Sequence, residues 1–207
     1  MKHGKIYVIA APSGAGKSTL VNALCNLDNK IQLSISHTTR PRRNNETDGV
    51  NYFFTSVEEF KKMIDNNEFI EFAQVYDNYY GTNINTIKRF LATGKDIILE
   101  IDWQGARQIR KLFPDAVLIF IVPPSLETLA ERLNKRNTDS TEVIKKRLDM
   151  ALDDISHAGE FDHIIINDNF ETALQDLWSV MLANRNKTEQ ILPQIAQQFN
   201  ITIETTH

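Results

Sequence analysis

The segment Ala11-Pro12-Ser13-Gly14-Ala15-Gly16-Lys17-Ser18 constrains this chain more than any other feature. It sits between two patterned runs. Lys5 to Ala10 is apolar almost throughout and reads as a short buried strand; Ser18 to Leu27 reads as a helix with Leu20, Val21 and Leu24 on one face. Glycines between a strand and a helix let the backbone wrap closely, so that successive N–H groups point inward at an anion. The helix that follows adds the positive end of its dipole. In this setting Lys17 reaches the β- and γ-phosphates and the Ser18 hydroxyl is a ligand for Mg²⁺. One position departs from the GxxxxGK(S/T) pattern, because Ala11 stands where the first Gly is usual. The strand before and the helix after supply the context the pattern requires, so Ala11 to Thr19 is read as a nucleoside triphosphate site rather than a turn that binds nothing.

The rest of the chain repeats the strand–helix rhythm. Asp96 to Ile101, Val117 to Val122 and His163 to Ile166 read as further buried parallel strands. Ile84 to Ala92, Ala106 to Leu112 and Leu126 to Asn134 read as the helices between them. Alternation of this kind implies right-handed crossovers and an α/β fold, a parallel sheet flanked by helices. Two stretches break the rhythm. Residues 33–83 are polar, aromatic and turn-rich, with Tyr52 to Phe54 strand-like and Val57 to Ile64 helical, and they hold four of the five tyrosines. Residues 126–156 read as two helices around the turn Asn137-Thr-Asp-Ser140 and gather Arg132, Lys135, Arg136, Lys145, Lys146 and Arg147. Phe170 to Met181 carries an apolar stripe that suits a packing helix, and the polar residues after Pro193 are expected to fray.

Composition narrows the function classes. With 207 residues the chain is long enough for one domain with inserted subdomains, and it buries roughly 70% of its unfolded surface without staples. The longest apolar run, Ala116 to Val122, falls far short of the roughly 20 residues of a membrane span. No charged-then-apolar leader precedes the first strand, and a single cysteine, Cys25, suits a reducing cytosol, so a cytoplasmic protein is expected. A net charge of −4 argues against general affinity for nucleic acid.

An acceptor side is also visible. Ser34-Ile-Ser36-His-Thr-Thr39-Arg40-Pro-Arg42-Arg43 sets three arginines within four residues beside hydroxyls, and the guanidinium fork suits a phosphate. By itself such a cluster also fits a solvated turn. Glu71 and Tyr79-Tyr80-Gly81-Thr82 follow, although a tyrosine cluster alone is more often packing. Glu100 and Asp102 end an apolar strand, where α/β sheets place ligands, and their spacing by two puts both on one side.

Together these pieces resemble guanylate kinases of the bacterial type. The matching segments are Ala11 to Ser18, Ser36 to Arg40, Tyr79 to Thr82, Ile101-Asp-Trp-Gln-Gly105, Pro123-Pro-Ser125 and Ile166-Asn-Asp168, in family order. The resemblance implies ATP:GMP phosphotransfer with Mg²⁺, ATP and GMP as substrates, dGMP as a further candidate, and a monomer or homo-oligomer. It implies a core of residues 1–32, 84–125 and 157–207, a GMP-binding subdomain of 33–83 and a helical lid of 126–156. By similarity, Arg40, Arg43, Tyr52 and Tyr80 hold the GMP phosphate, and Ser36, Glu71, Thr82 and Asp102 read or surround guanine. A carboxylate such as Glu71 accepts from both guanine N1–H and N2–H while a hydroxyl donates to O6; adenine reverses that pattern. Lys17, Arg43, Arg136 and Arg147 are the cations implied for catalysis, the last two closing over the ATP phosphates. Asn167 falls near the adenine of ATP, and Ser18 and Glu100 near the metal.

The sequence departs from the family pattern at three further places. The proline of Arg40-Pro-Arg-Arg43 lies one position early, Glu100 replaces the usual Asp, and Lys135-Arg136-Asn137 lacks flanking glycines. Two rival readings share the fold. A ribose-1,5-bisphosphate kinase would need no guanine reader, and a non-enzymatic binding module would carry a degraded phosphate loop.

Overall fold

A computed structural model describes residues 4–75, 77–134 and 141–202. The first strand, β1 (Ile6–Ala10), is wholly buried and lies at the centre of a five-stranded parallel sheet. After it come α1 (Lys17–Leu27) and β2 (Ile31–Leu33), then β3 (His37–Thr38), β4 (Phe53–Phe54), α2 (Val57–Asp65), β5 (Phe69–Val75) and β6 (Asn78–Asn83). The chain continues with α3 (Ile84–Ala92), β7 (Asp96–Glu100), α4 (Trp103–Leu112), β8 (Val117–Val122), α5 (Leu126–Asn134) and α6 (Thr141–Ser156). A 3-10 turn (Ala158–Glu160), β9 (His163–Ile166), α7 (Phe170–Arg185) and α8 (Thr188–Phe199) complete it.

The main sheet runs β2-β7-β1-β8-β9, every pair parallel. The chain leaves β1 toward one edge and later returns across it to β8, so β1 is flanked by strands from opposite windings. A crevice opens at the carboxyl end of such a strand, which is where α/β sheets bind ligands. One face of the sheet packs Tyr7, Ile9, Ile98 and Ile119 against Leu20 and Leu24 of α1 and Leu177 and Met181 of α7. The other face packs Val8, Ile97 and Leu99 against Ile87 of α3 and Ile109 of α4. Helices therefore cover both faces, as parallel strands apolar on both sides require.

Residues 33–83 build a second, four-stranded sheet, β4-β3-β6-β5. The sequence pattern indicates only its strand near 53 and its helix near 57, and not the β5–β6 hairpin. The hairpin is hard to read because a register shift between Phe69 and Glu71 breaks the alternation, and because its buried positions mix the polar Glu71 and Thr82 with Ile70 and Ala73. Another expectation needs correction at the far end. Residues 194–199 continue α8, with Pro193 inside the helix, instead of fraying, and residues 203–207 lie outside the described residues. Proline removes one helical hydrogen bond, but α8 remains amphipathic along the surface and closes on an αL residue, Asn200.

Candidate active site

The turn after β1 takes the form its sequence requires. Ala15 N–H donates to the Pro12 carbonyl at 3.2 Å, and Gly16 caps α1 at φ +90°, a region closed to most side chains. Gly16 has a second reason to be glycine: a Cβ there would lie 2.5 Å from Nδ2 of Asn167. That amide is buried and donates to the Ala15 carbonyl at 2.7 Å, so the end of β9 braces the loop from below. Arg132 of α5 donates to the Asn167 carbonyl at 3.0 Å, and Leu129 and Leu133 of α5 close over Gly14. No side chain caps α1 and no acidic residue occupies its first turn, which leaves its N–H groups and positive dipole to a ligand. Lys17 Nζ leans toward the Ile101 carbonyl at 3.5 Å, at the end of β7. Ser13, Ser18 and Thr19 are exposed there.

Glu100 ends β7 beside Ile9 of β1. Its Oε1 is buried with no hydrogen-bond partner, and its charge acts on Cys25 of α1 and Tyr52 of the second sheet. A buried carboxylate oxygen without a partner calls for a cation or a hydrogen-bond donor. Burial, with Glu100 nearby, pushes the Cys25 thiol up to about 11, so this cysteine stays a thiol. Asp102 differs from the sequence expectation in what aims it. The strand ends at Glu100, and Asp102 serves as the N-cap of α4, with Oδ1 accepting from Gly105 N–H at 2.9 Å. The cap sets its direction, not strand alternation.

The second sheet faces this crevice with a buried polar cluster. Ser36, Glu71 and Thr82 are 7%, 3% and 0% exposed, and the Ser36 and Thr82 hydroxyls lie 3.4 Å apart. Glu71 Oε1 has no hydrogen-bond partner. Desolvation pushes this carboxyl up to about 7; Asp102 pushes the same way, and Thr82 partly opposes them. Beside the cluster, Arg40 donates to Glu46 Oε1 at 2.6 Å and stacks 5.4 Å from the Tyr52 ring and 5.8 Å from Phe54. Glu46 Oε2 accepts from Arg43 N–H at 2.9 Å, so one carboxylate organises the whole arginine turn. Burial works against the charge of Glu46, yet Arg40 and the Arg43 amide hold it below the usual carboxylate range. Tyr52 and Tyr80 meet edge-to-face at 6.0 Å, and burial pushes the Tyr52 phenol up to about 12, keeping it a neutral donor. Arg42 and Arg43 are exposed.

The guanylate kinase family model matches residues 3–184 of this chain. A guanylate kinase of Hydrogenovibrio crunogenus is 56% identical over 182 residues, 88% of this chain and 89% of that one. Another, of Hahella chejuensis, is 54% identical over 185 residues, covering 89% of each. The crystal structure of guanylate kinase from Anaplasma phagocytophilum superposes with a TM-score of 0.78 at 31% identity, over 98% of both chains. This chain belongs to the guanylate kinase family.

Family membership agrees with the resemblance noted in the sequence, and the geometry adds detail that the resemblance lacks. The phosphate loop, Glu100, Asp102 and the Ser36–Glu71–Thr82 cluster converge where β1 and β7 end. Arg147 is half-buried on α6. Arg136 lies outside the described residues. One carboxylate escapes a sequence reading. Asp154 of α6 is pushed up to about 6 by burial, then by Asp102 and Asp153, with Lys17 and His157 opposing. Nothing local distinguishes it from its neighbours Asp149 and Asp153; only the fold brings it to Lys17. Among the described residues no three His, Cys, Asp or Glu side chains group as a metal site, and no helix is long and apolar enough to cross a membrane.

Proposed function

We propose that this chain transfers the γ-phosphoryl group of ATP to the phosphate of GMP, and that Glu71 with Ser36 and Thr82 is its guanine reader. The observation that carries the base assignment is the buried Glu71 carboxyl with a partnerless Oε1 beside two hydroxyls. Guanine N1–H and N2–H match a carboxylate, and O6 matches a hydroxyl. Adenine would set a lone pair against Glu71 and lose the match, and sites built this way reject the wrong partner by roughly 10⁴-fold. A ribose bisphosphate would leave the carboxyl unused. The intact Gly16-Lys17-Ser18 favours an enzyme over a binding module.

On this reading residues 11–19 hold ATP, with Asn167 bracing the loop on the ATP side. Arg40, Arg43, Tyr52 and Tyr80 hold the GMP phosphate. Asp102 links the guanine pocket to the start of α4. Lys17, Arg43, Arg136 and Arg147 offset charge on the transferring group, since phosphoryl transfer depends on positioning and charge neutralisation more than on covalent chemistry. Mg²⁺ fits Ser18 and the partnerless Glu100 Oε1. Bound there, it would neutralise phosphate charge. Residues 33–83 and 126–156 then act as GMP-binding subdomain and lid on a core of 1–32, 84–125 and 157–207. The groups gathered read base and phosphate, so dGMP is a second acceptor, and a cytoplasmic setting suits these substrates.

The test measures ADP formed from ATP and Mg²⁺ with GMP, AMP, UMP, CMP or ribose 1,5-bisphosphate, using Lys17→Ala as control. Turnover with GMP, lost in the control, is expected. Turnover with the sugar phosphate instead, or ATP binding with no acceptor used, overturns the reading.

A further inference from the structure

We infer that Gln108 is a positioning residue that sets base selectivity by pinning the strand that carries Glu71. The inference rests on the guanine-reader reading above.

Strand β5 is the edge of its sheet, with β6 on one side only. Phe72 turns its peptide groups to the open side, where the side-chain amide of Gln108 on α4 takes the place of a neighbouring strand. Nε2 donates to the Phe72 carbonyl at 2.7 Å, and Oε1 accepts from Phe72 N–H at 3.2 Å. One donor and one acceptor on Phe72 fix the orientation of the amide. Three residues earlier on the same helix face, Gly105 lies against Glu71 Oε2. One face of α4 therefore holds successive residues of β5, Glu71 by close approach and Phe72 by a two-point hydrogen bond.

This matters because the hairpin does not fix the strand by itself. The β5–β6 register shifts between Phe69 and Glu71, immediately before the reader. A one-residue slip turns every side chain to the opposite face. Glu71 would then leave the pocket, and the half-exposed Phe72 would enter it. Beyond the shift, the Gln108 clamp ties the strand to α4, the helix capped by Asp102. The depth and aim of the Glu71 carboxylate are thus set from the core, across the boundary between the two sheets.

The consequence is readable as selectivity. GMP gives Glu71 two donors, N1–H and N2–H; IMP lacks the N2 amino group and gives one. Preference for GMP over IMP reports how well both carboxylate oxygens are aimed. The variants are Gln108→Met, which keeps length and loses both hydrogen bonds, and Gln108→Glu, which keeps the acceptor for Phe72 N–H and loses the donor. Lys111→Ala, on the exposed part of α4, is the control. In Gln108→Met, KM for GMP is expected to rise about tenfold and the GMP:IMP ratio of kcat/KM to fall about fivefold, with KM for ATP within about twofold. Gln108→Glu should fall between, and it carries the test if the Met variant does not fold. An unchanged GMP:IMP ratio in a folded variant overturns the proposal. So does equal weakening of GMP, IMP and ATP, which would mark a general loosening of the fold. Failure of the unsubstituted protein to phosphorylate GMP at all would overturn the guanine reading itself, and the role of Gln108 with it.

Discussion

Gly105 of α4 touches the Glu71 carboxylate so closely that a Cβ built on it would lie 2.6 Å from Oε2 and 3.1 Å from Ile101 Cδ1. The first turn of α4 is thus one wall of the proposed guanine pocket. Its Asp102 cap bonds the Gly105 amide, so the residue that starts the helix also holds that wall in place.

Gly105→Ala should therefore damage base binding more than folding. Ile101 backs the glycine, so the added methyl is relieved by displacement of Glu71. Overpacking of this kind costs about 1–3 kcal/mol. The expected result is a KM for GMP raised at least about tenfold with KM for ATP nearly unchanged. Steady-state kinetics with each substrate varied in turn, beside a thermal melt, checks it.

If Glu71 reads guanine as proposed, GMP binding should depend on pH. Burial lifts the carboxyl from 4.5 to about 7, so below pH 7 the free protein carries a proton there that must leave before both oxygens accept from guanine. KM for GMP should rise by up to about tenfold per unit as pH falls from 7 to 5, with no such rise for ATP. Folding shows the opposite trend. With its pKa raised, the group's stability is full below 4.5 and is lost as pH climbs through 7, on the order of 3 kcal/mol. Glu71→Gln should flatten both profiles: weak GMP binding at every pH, and a higher Tm than the unsubstituted protein at pH 8.

Legibility in the sequence followed burial and periodicity. Strands β8 and β9 and helices α3 and α5 have the limits that apolar patterning predicts: β8 is a continuous apolar run buried along its length, and α5 buries Leu129 and Leu133 at helical spacing. The phosphate loop was readable because glycine, lysine and serine there serve local geometry. The proposed guanine pocket was visible only as residues, not as structure. Ser36, Glu71 and Thr82 are polar and buried, which inverts the pattern that marks a strand, and the β5 irregularity hides what remains. Gln108 and Asp154 were silent because Phe72 lies 36 residues from Gln108, and because Asp102 and Lys17, which act on Asp154, lie on other elements.

Glu46 should prove as necessary to the acceptor phosphate as the arginines it holds. It binds Arg40 through one oxygen and the Arg43 amide through the other, while the Arg43 carbonyl takes the Glu46 amide at 3.1 Å. Glu46→Gln removes the charge that holds Arg40 over Tyr52. We expect weaker binding of GMP by about tenfold and no change with guanosine, which lacks the phosphate. Equal losses for nucleotide and nucleoside in calorimetric titration would contradict this.

Arg185 supplies a stability test far from the reacting groups. At the end of α7 its guanidinium spans Asp96, at 2.6 Å on β7, and Asp28, after α1, with side-chain exposures of 11%, 6% and 16% respectively. Burial disfavours the charge on Arg185, and the two carboxylates more than restore it. Asp96 also accepts from Lys5 N–H at 2.9 Å, at the entry to β1, so a single ion triad joins the first strand, the sheet and the last packing helix. Arg185→Met leaves two acids without their cation in a nearly closed site, a change that costs about 3–5 kcal/mol. For a chain of this length that corresponds to a fall in Tm of roughly 10 °C. Adding Asp28→Asn should return part of the loss, because the second substitution removes one of the stranded charges. Turnover per folded molecule should stay the same in both variants. A Tm within about 2 °C of the unsubstituted protein would mean that the triad is dispensable and that apolar packing of α7 alone holds that edge.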